Sequence, residues 1–237
     1  MKAIVYVDGF NLYYGCLQHT PYKWLNVRKL VEYYYPKLEI EYIKYFTARV
    51  KVRVDDPGKP DRQRVYFRAL RTVKGLEIIE GRYLVQTKML PVVREYKDKK
   101  SGRIVITHFL MSLWSGNRRL PLAELNNGKY QFANVIKPEE KGSDVNLASH
   151  LLNDAHCKRF DVAVVISNDS DLVGPIKMVI VDLKKTVTIL NPQQNPSFML
   201  DRLTSIKQIR KGALEASQFP DEMKDDYGTF HKPQLWL

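Results

Sequence analysis

Cysteine is scarce: Cys16 and Cys157 are the only two in the chain. They have no partners at zinc-like spacing and cannot build a disulfide framework, which points to a reducing cytosol. No apolar run approaches the roughly 20 residues that cross a bilayer. The N-terminus enters a β-like run at once, without the charged stretch and apolar core of a secretion signal. These absences predict a soluble, cytoplasmic protein with no membrane partner. The P-loop pattern GxxxxGK[ST] and the dinucleotide fingerprint GxGxxG are also missing, which argues against the common nucleotide folds. No internal repeat or long low-complexity segment is present.

What remains is a chain of 237 residues with 44% hydrophobic content, enough for one substantial core. Thirty-eight Lys and Arg against twenty-six Asp and Glu give a net charge of +12. Such an excess favours an anionic partner, RNA being the expectation here, through phosphate contacts. The number of copies in an assembly, a homodimer included, is not set by the sequence.

Apolar runs alternate with helical patterns along the chain. Lys2 to Val7 reads as a central strand and Trp24 to Tyr35 as a helix ended by Pro36. Leu38 to Val54 reads as a strand with a basic exit at Arg49, Lys51 and Arg53. Asp61 to Lys74 reads as a helix whose basic face carries Arg62, Arg64, Arg68 and Arg71, the first candidate surface for a phosphate backbone. Leu76 to Ile79, Asp161 to Ile166 and Thr186 to Leu190 read as further strands, and Val145 to Cys157 and Asp171 to Leu183 as helices. Ser197 to Leu203 and Ile206 to Ala216 look partly helical. The sequence thus predicts an α/β fold, three-layered α/β/α around a mainly parallel sheet. The expected domain covers 1–212, with an edge insertion at about 82–135 that holds a hairpin around Lys97 to Gly102. A tail over 213–237 is expected to dock through Trp236.

Open parallel sheets place their chemistry at the C-terminal ends of the strands. Asp8 falls at such an end, as do Asp169 and Asp171 in the turn Ser167-Asn168-Asp169-Ser170-Asp171. Asp144 opens a helix whose N-terminus can face the same crevice, and Asn11 lies on the first helical turn after Asp8. Any one of these is explained by helix capping. Their repeated placement suggests a carboxylate set, whose repulsion a divalent cation would relieve. Oxygen-only donors favour Mg2+ or Mn2+. A basic protein with such a pocket suggests metal-assisted hydrolysis of phosphodiesters.

Three motifs together, Val7-Asp8-Gly9-Phe10-Asn11, Lys141-Gly142-Ser143-Asp144-Val145 and Ser167-Asn168-Asp169-Ser170-Asp171, resemble the NYN domain of the PIN-like nuclease superfamily. The resemblance implies a PIN-like fold and a metal-dependent ribonuclease. Asp8, Asp144, Asp169 and Asp171 would be its metal-site carboxylates, Asn11 would support the site, and Lys141 and Ser167 would contact substrate. Asn168 departs from the family's usual Gly. The alternatives are a non-catalytic RNA-binding module and, with less support, a phosphatase acting on a small molecule.

Overall fold

The computed structural model describes residues 1–52, 56–92, 95–97, 104–106, 122–124 and 131–236. They form two compact units, Met1–Tyr83 with Glu140–Leu237, and Leu84–Glu139.

The first unit is built on a six-stranded sheet. Its strands are β1 (Lys2–Asp8), β2 (Glu39–Thr47), β3 (Leu76–Glu80), β9 (Val162–Ile166), β10 (Thr186–Asn191) and β11 (Ile206–Gln208). They are ordered β11-β10-β9-β1-β2-β3, and every neighbouring pair is parallel. Parallel neighbours require crossovers, and here helices supply them. They include α1 (Gly9–Leu12, continued by a π turn to Leu17), α2 (Val27–Tyr34) and α3 (Lys59–Arg71). On the other side of the chain order come α4 (Ser143–His156) and α5 (Val173–Val181).

Both faces of the sheet are covered, which explains why β1 and β9 read as unbroken apolar runs. Val5 and Val7 of β1 join one core with Leu30, Phe67, Leu70 and Leu214. Ile4 and Tyr6 point the other way, into a core with Leu147, Leu151, Ile176 and Val179. This is a three-layer α/β/α architecture. Each fully buried Leu or Ile contributes about 1.5–3 kcal/mol to it.

Local signals set the helix ends. Asp8 and Asn26 cap α1 and α2 by accepting from the backbone N–H groups of Asn11 and Lys29. Pro60 lies in the first turn of α3, where its missing N–H costs nothing. Gly142, at φ +97°, turns the chain into α4.

Two segments differ from the sequence reading. Residues 206–208, expected to be helical, form edge strand β11 and pair with Ile189 to Asn191. The tail contains a hairpin of β12 (Glu222–Asp225) and β13 (Gly228–His231). The ring of Trp236 lies 6.3 Å from that of Trp24 and 5.9 Å from that of Tyr66.

In the chain between β3 and β9, β4 (Arg82–Val92), β7 (Leu122–Glu124) and β8 (Gln131–Lys141) form a sheet in the order β4-β8-β7. Strands β5 (Glu95–Lys97) and β6 (Ile104–Ile106) pair antiparallel, with Glu95 opposite Ile106. Of the basic tip expected at Lys97 to Gly102, residues 98–102 lie outside the described residues, as does Arg53.

Candidate functional site

The strand order reverses between β1 and β9: β2 and β3 extend the sheet one way, β10 and β11 the other. Crossovers leave in opposite directions at this point and open a crevice at the strand ends. Asp8 closes β1 there, and Ser167 follows directly on β9.

Asp8 is only 4% exposed. Its Oδ1 accepts from the Asn11 backbone N–H at 2.9 Å and its Oδ2 from the Ser167 hydroxyl at 2.9 Å. The Ser167 Oγ in turn accepts from the Asp169 N–H, and Asp169 Oδ1 accepts from the Asp171 N–H. Besides this backbone contact to Asp8, the Asn11 side-chain oxygen accepts from the Asn168 N–H and ties the two turns together. The Asn168 side chain reaches on to Asn195 and Ser197 in the loop after β10. At this position the turn is therefore anchored by an amide.

Asp8, Asp144 and Asp169 each offer a carboxylate oxygen, and the three oxygens lie within 4.8 Å of one another. Asp171 stays exposed and outside this trio. Burial pushes the Asp8 pKa up to about 6, against the hydrogen bonds from Asn11 and Ser167 and helped by the nearby charges of Asp144 and Asp169. Asp144, half-buried, is raised for the same first reason, with Asp169, Glu140 and Asp171 adding repulsion. The cluster thus holds a proton into the range where general acid–base catalysis works at neutral pH.

Gly9 is required by the close approach of β2. A Cβ there would lie 2.7 Å from Tyr45 Cε1 and 2.9 Å from the Phe46 carbonyl oxygen. Gly9→Ala is expected to cost about 1–3 kcal/mol by overpacking. Gly174→Ala, with nothing within 4 Å of the new methyl, should leave the protein unchanged or up to about 1 kcal/mol more stable. Urea midpoints of the two variants test the contrast, and equal effects would remove the packing argument.

The basic residues expected to grip a phosphate backbone are mostly engaged within the chain. Arg49 pairs with Glu80 through two hydrogen bonds, at 2.6 and 2.8 Å. Arg62 is bound to Asp56, and Arg64 lies 3.1 Å from Asp61. Arg68 is forked onto Asp225 and stacks 4.2 Å from the Phe230 ring centroid. Arg71 stands 4.0 Å from Glu80. Lys51 and Lys141 are exposed.

Beside the crevice lies a pocket that the sequence did not disclose. Gly9 and Phe10 begin its wall, and Tyr13, Tyr14, Tyr45 and Tyr66 continue it, with Trp236 from the tail. Lys23, Lys59 and Arg62 also line it. These residues come from segments up to 227 positions apart (Gly9 to Trp236), so no local pattern reveals them. The spacing of Phe10, Tyr13 and Tyr14 along one helical face was the one available signal.

Fold and crevice together define an α/β protein of the doubly wound type, with an acidic site at its switch point. Similarity gives a more specific indication. The chain is 29% identical over 261 aligned residues to the 6-hydroxy-3-succinoylpyridine 3-monooxygenase HspA of Pseudomonas putida, covering 100% of this chain and 75% of that protein. No protein-family model matches the chain. Among solved structures, a protein of unknown function from Vibrio parahaemolyticus is 17% identical with a TM-score of 0.48, over 89% of this chain and 93% of that one. A Sir2 mutant bound to a p53 peptide and NAD is 12% identical with a TM-score of 0.31, over 92% of this chain and 90% of that one.

The monooxygenase relative overturns the nuclease expectation. It matches the whole chain and is named as a monooxygenase, so RNA hydrolysis at four Asp residues is withdrawn. The RNA-binding module and the phosphatase are withdrawn with it, as is the Mg2+ or Mn2+ cofactor. The physical reason is that carboxylates at strand ends mark where a doubly wound sheet does its chemistry without fixing which chemistry. The basic stripe that completed the nuclease reading is spent largely on ion pairs within the chain.

Proposed function

We propose that this chain is an oxidoreductase of the monooxygenase type, acting on a hydroxylated N-heteroaromatic acid. The observation that carries the reading is the similarity to the named monooxygenase along the entire chain. In this reading the three motifs that resemble NYN domains build the acidic crevice, which handles protons rather than phosphates.

One oxygen atom of O2 enters the substrate and the other leaves as water. Two protons are consumed, with two electrons from a donor outside the chain. Activation of O2 commonly draws on a flavin, a haem, copper or a non-haem iron. The switch-point crevice does not fit the diphosphate of a flavin dinucleotide. The turn after β1 has one glycine where the phosphate loop needs several, and Asp8, Asp144 and Asp169 would repel the phosphates. Nor does the trio supply the two histidines of a 2-His-1-carboxylate iron site; His150 lies elsewhere, 3.2 Å from Lys44.

The role left to the chain is proton transfer. Asp8, ionised above about pH 6, takes the proton of the ring hydroxyl, which makes the ring more electron-rich toward an electrophilic oxygen. Ser167 and Asn11 hold its carboxylate in place. The test is incubation of the purified protein with 6-hydroxy-3-succinoylpyridine, 18O2 and a panel of two-electron donors, including reduced nicotinamide and reduced flavin. One 18O atom in the product is the expected result. Absence of oxygenated product with every donor would refute the reading.

A further inference from the structure

The geometry points to the pocket beside Gly9 as a binding site for a planar aromatic carboxylate, its ring held among Phe10, Tyr13, Tyr14 and Trp236 and its carboxylate by Lys23 and Lys59. This rests on the proposed function for its biological meaning and stands on its own observations for binding.

The walls suit a flat ring. Phe10 and Tyr14 are stacked, with centroids 6.2 Å apart and planes 15° from parallel. Tyr83 also stacks on Phe10, at 6.3 Å and 22°. Tyr13 meets Tyr14 edge-on at 5.2 Å. The floor is fixed by Tyr45 and Tyr66, both buried, and the Tyr66 hydroxyl donates to the Leu25 carbonyl at 2.8 Å. Aromatic faces in this arrangement accept a further ring by offset stacking.

The mouth suits an anion. The slot widens into an open recess lined by Gln18, His19, Lys23, Asp56, Lys59 and Arg62. Among the described lining residues Lys23 and Lys59 add positive charge beside the Arg62–Asp56 ion pair. Lys59 stands 5.5 Å and 5.9 Å from the Tyr13 and Tyr14 ring centroids, so a charge and the ring slot adjoin. Lys23 donates to the Thr20 carbonyl at 2.9 Å. Its pKa is lowered by burial and by the nearby charge of Arg62, so an incoming carboxylate relieves a repulsion that already exists. Helix α3 begins at Lys59 with no side-chain cap, and its dipole adds positive potential at the same place.

This arrangement also separates roles. Asp8 precedes the first pocket residue by one position, so a ring in the slot lies next to the acidic crevice while its carboxylate points away from it. A neutral or cationic ligand of the same shape gains nothing from the mouth.

The test is titration calorimetry on the intact protein with 6-hydroxynicotinate, its neutral amide, and succinate, together with quenching of tryptophan fluorescence. The acid is expected to bind at one site, the amide and succinate at least tenfold more weakly. Lys59→Gln and Lys23→Gln should each weaken the acid about tenfold, the effect of losing one charge-assisted contact. Lys59→Arg should retain binding, and Trp236→Phe should remove most of the quench. Unchanged affinity in both Gln variants, in protein that melts like wild type, would overturn the site. So would equal binding of acid and amide. Oxygenation of substrate without any measurable binding of the acid would overturn the pocket and leave the oxygenase reading intact. Acid binding with this selectivity but no oxygenation would support the pocket and refute the oxygenase reading.

Discussion

Asp8→Asn is expected to abolish at least 99% of oxygenation while making the folded protein more stable at pH 8. The loss follows from removing a positioned proton acceptor, worth about 10²–10⁴ in rate. The gain follows from linkage. The folded Asp8 carboxyl holds its proton to about pH 6, whereas an unfolded Asp releases it near its ordinary value of 3.8. Between these values the folded state binds more protons than the unfolded state, so wild-type stability falls as pH rises through that window. Above it the full penalty applies, and a rise of roughly two units corresponds to about 3 kcal/mol. Asn carries no charge, so the variant should gain up to about 3 kcal/mol at pH 8 and nothing at pH 4. Parallel urea titrations at the two pH values measure this directly. A variant that is equally destabilised at both would show that the two accepted hydrogen bonds, not the buried charge, dominate at this position. Wild-type activity should rise with an apparent pKa near 6, and that limb should disappear from the residual activity of the variant.

The second large effect is on folding. Trp24→Ala is expected to cost about 3–5 kcal/mol, the range for deleting a buried aromatic. Trp24 is fully buried, and its indole N–H donates to the Pro220 carbonyl at 2.7 Å. Its ring meets Phe219 at 5.7 Å, Tyr66 at 6.2 Å, Trp236 at 6.3 Å and Phe230 at 6.4 Å. It thus touches the start of the tail, the tail hairpin and the pocket wall together. The variant should therefore also expose the 219–236 segment to limited proteolysis. Trp236→Ala, at a partly exposed position, should cost clearly less. Equal losses would show that the tail is held from its end rather than through Trp24.

A third buried feature fits this picture. Asp154, with no exposed surface, accepts from the Tyr6 hydroxyl and from Arg159, each at 2.8 Å, and from Lys44. Burial alone would raise its pKa, yet those donors outweigh it and hold it below the usual carboxylate value. Asp8 has fewer donors and two acidic neighbours, and so moves the other way. Two buried Asp residues of one fold are thus separated by their partners, the one neutralised in place and the other kept ready to exchange a proton.

The sequence determined the architecture, because strands buried on both faces must be apolar throughout and Lys2 to Val7 and Val162 to Ile166 are. It also indicated that Asp8, Asp144 and Asp169 meet at one crevice, since strand ends followed by helix caps are local patterns, but it counted Asp171 with them, which stays outside. It did not determine β11, whose Ile206, Lys207 and Gln208 carry no alternation and become a strand only by pairing with β10. It did not reveal that Arg62 and Arg68 are engaged by Asp56 and Asp225, so a stripe of charge was read as a free surface. Nor did it reveal the pocket between Phe10 and Trp236, whose wall the tail completes with Trp236. The tertiary structure alone decided these points, for one physical reason: a charge's availability and a cavity's walls depend on neighbours far away in the chain.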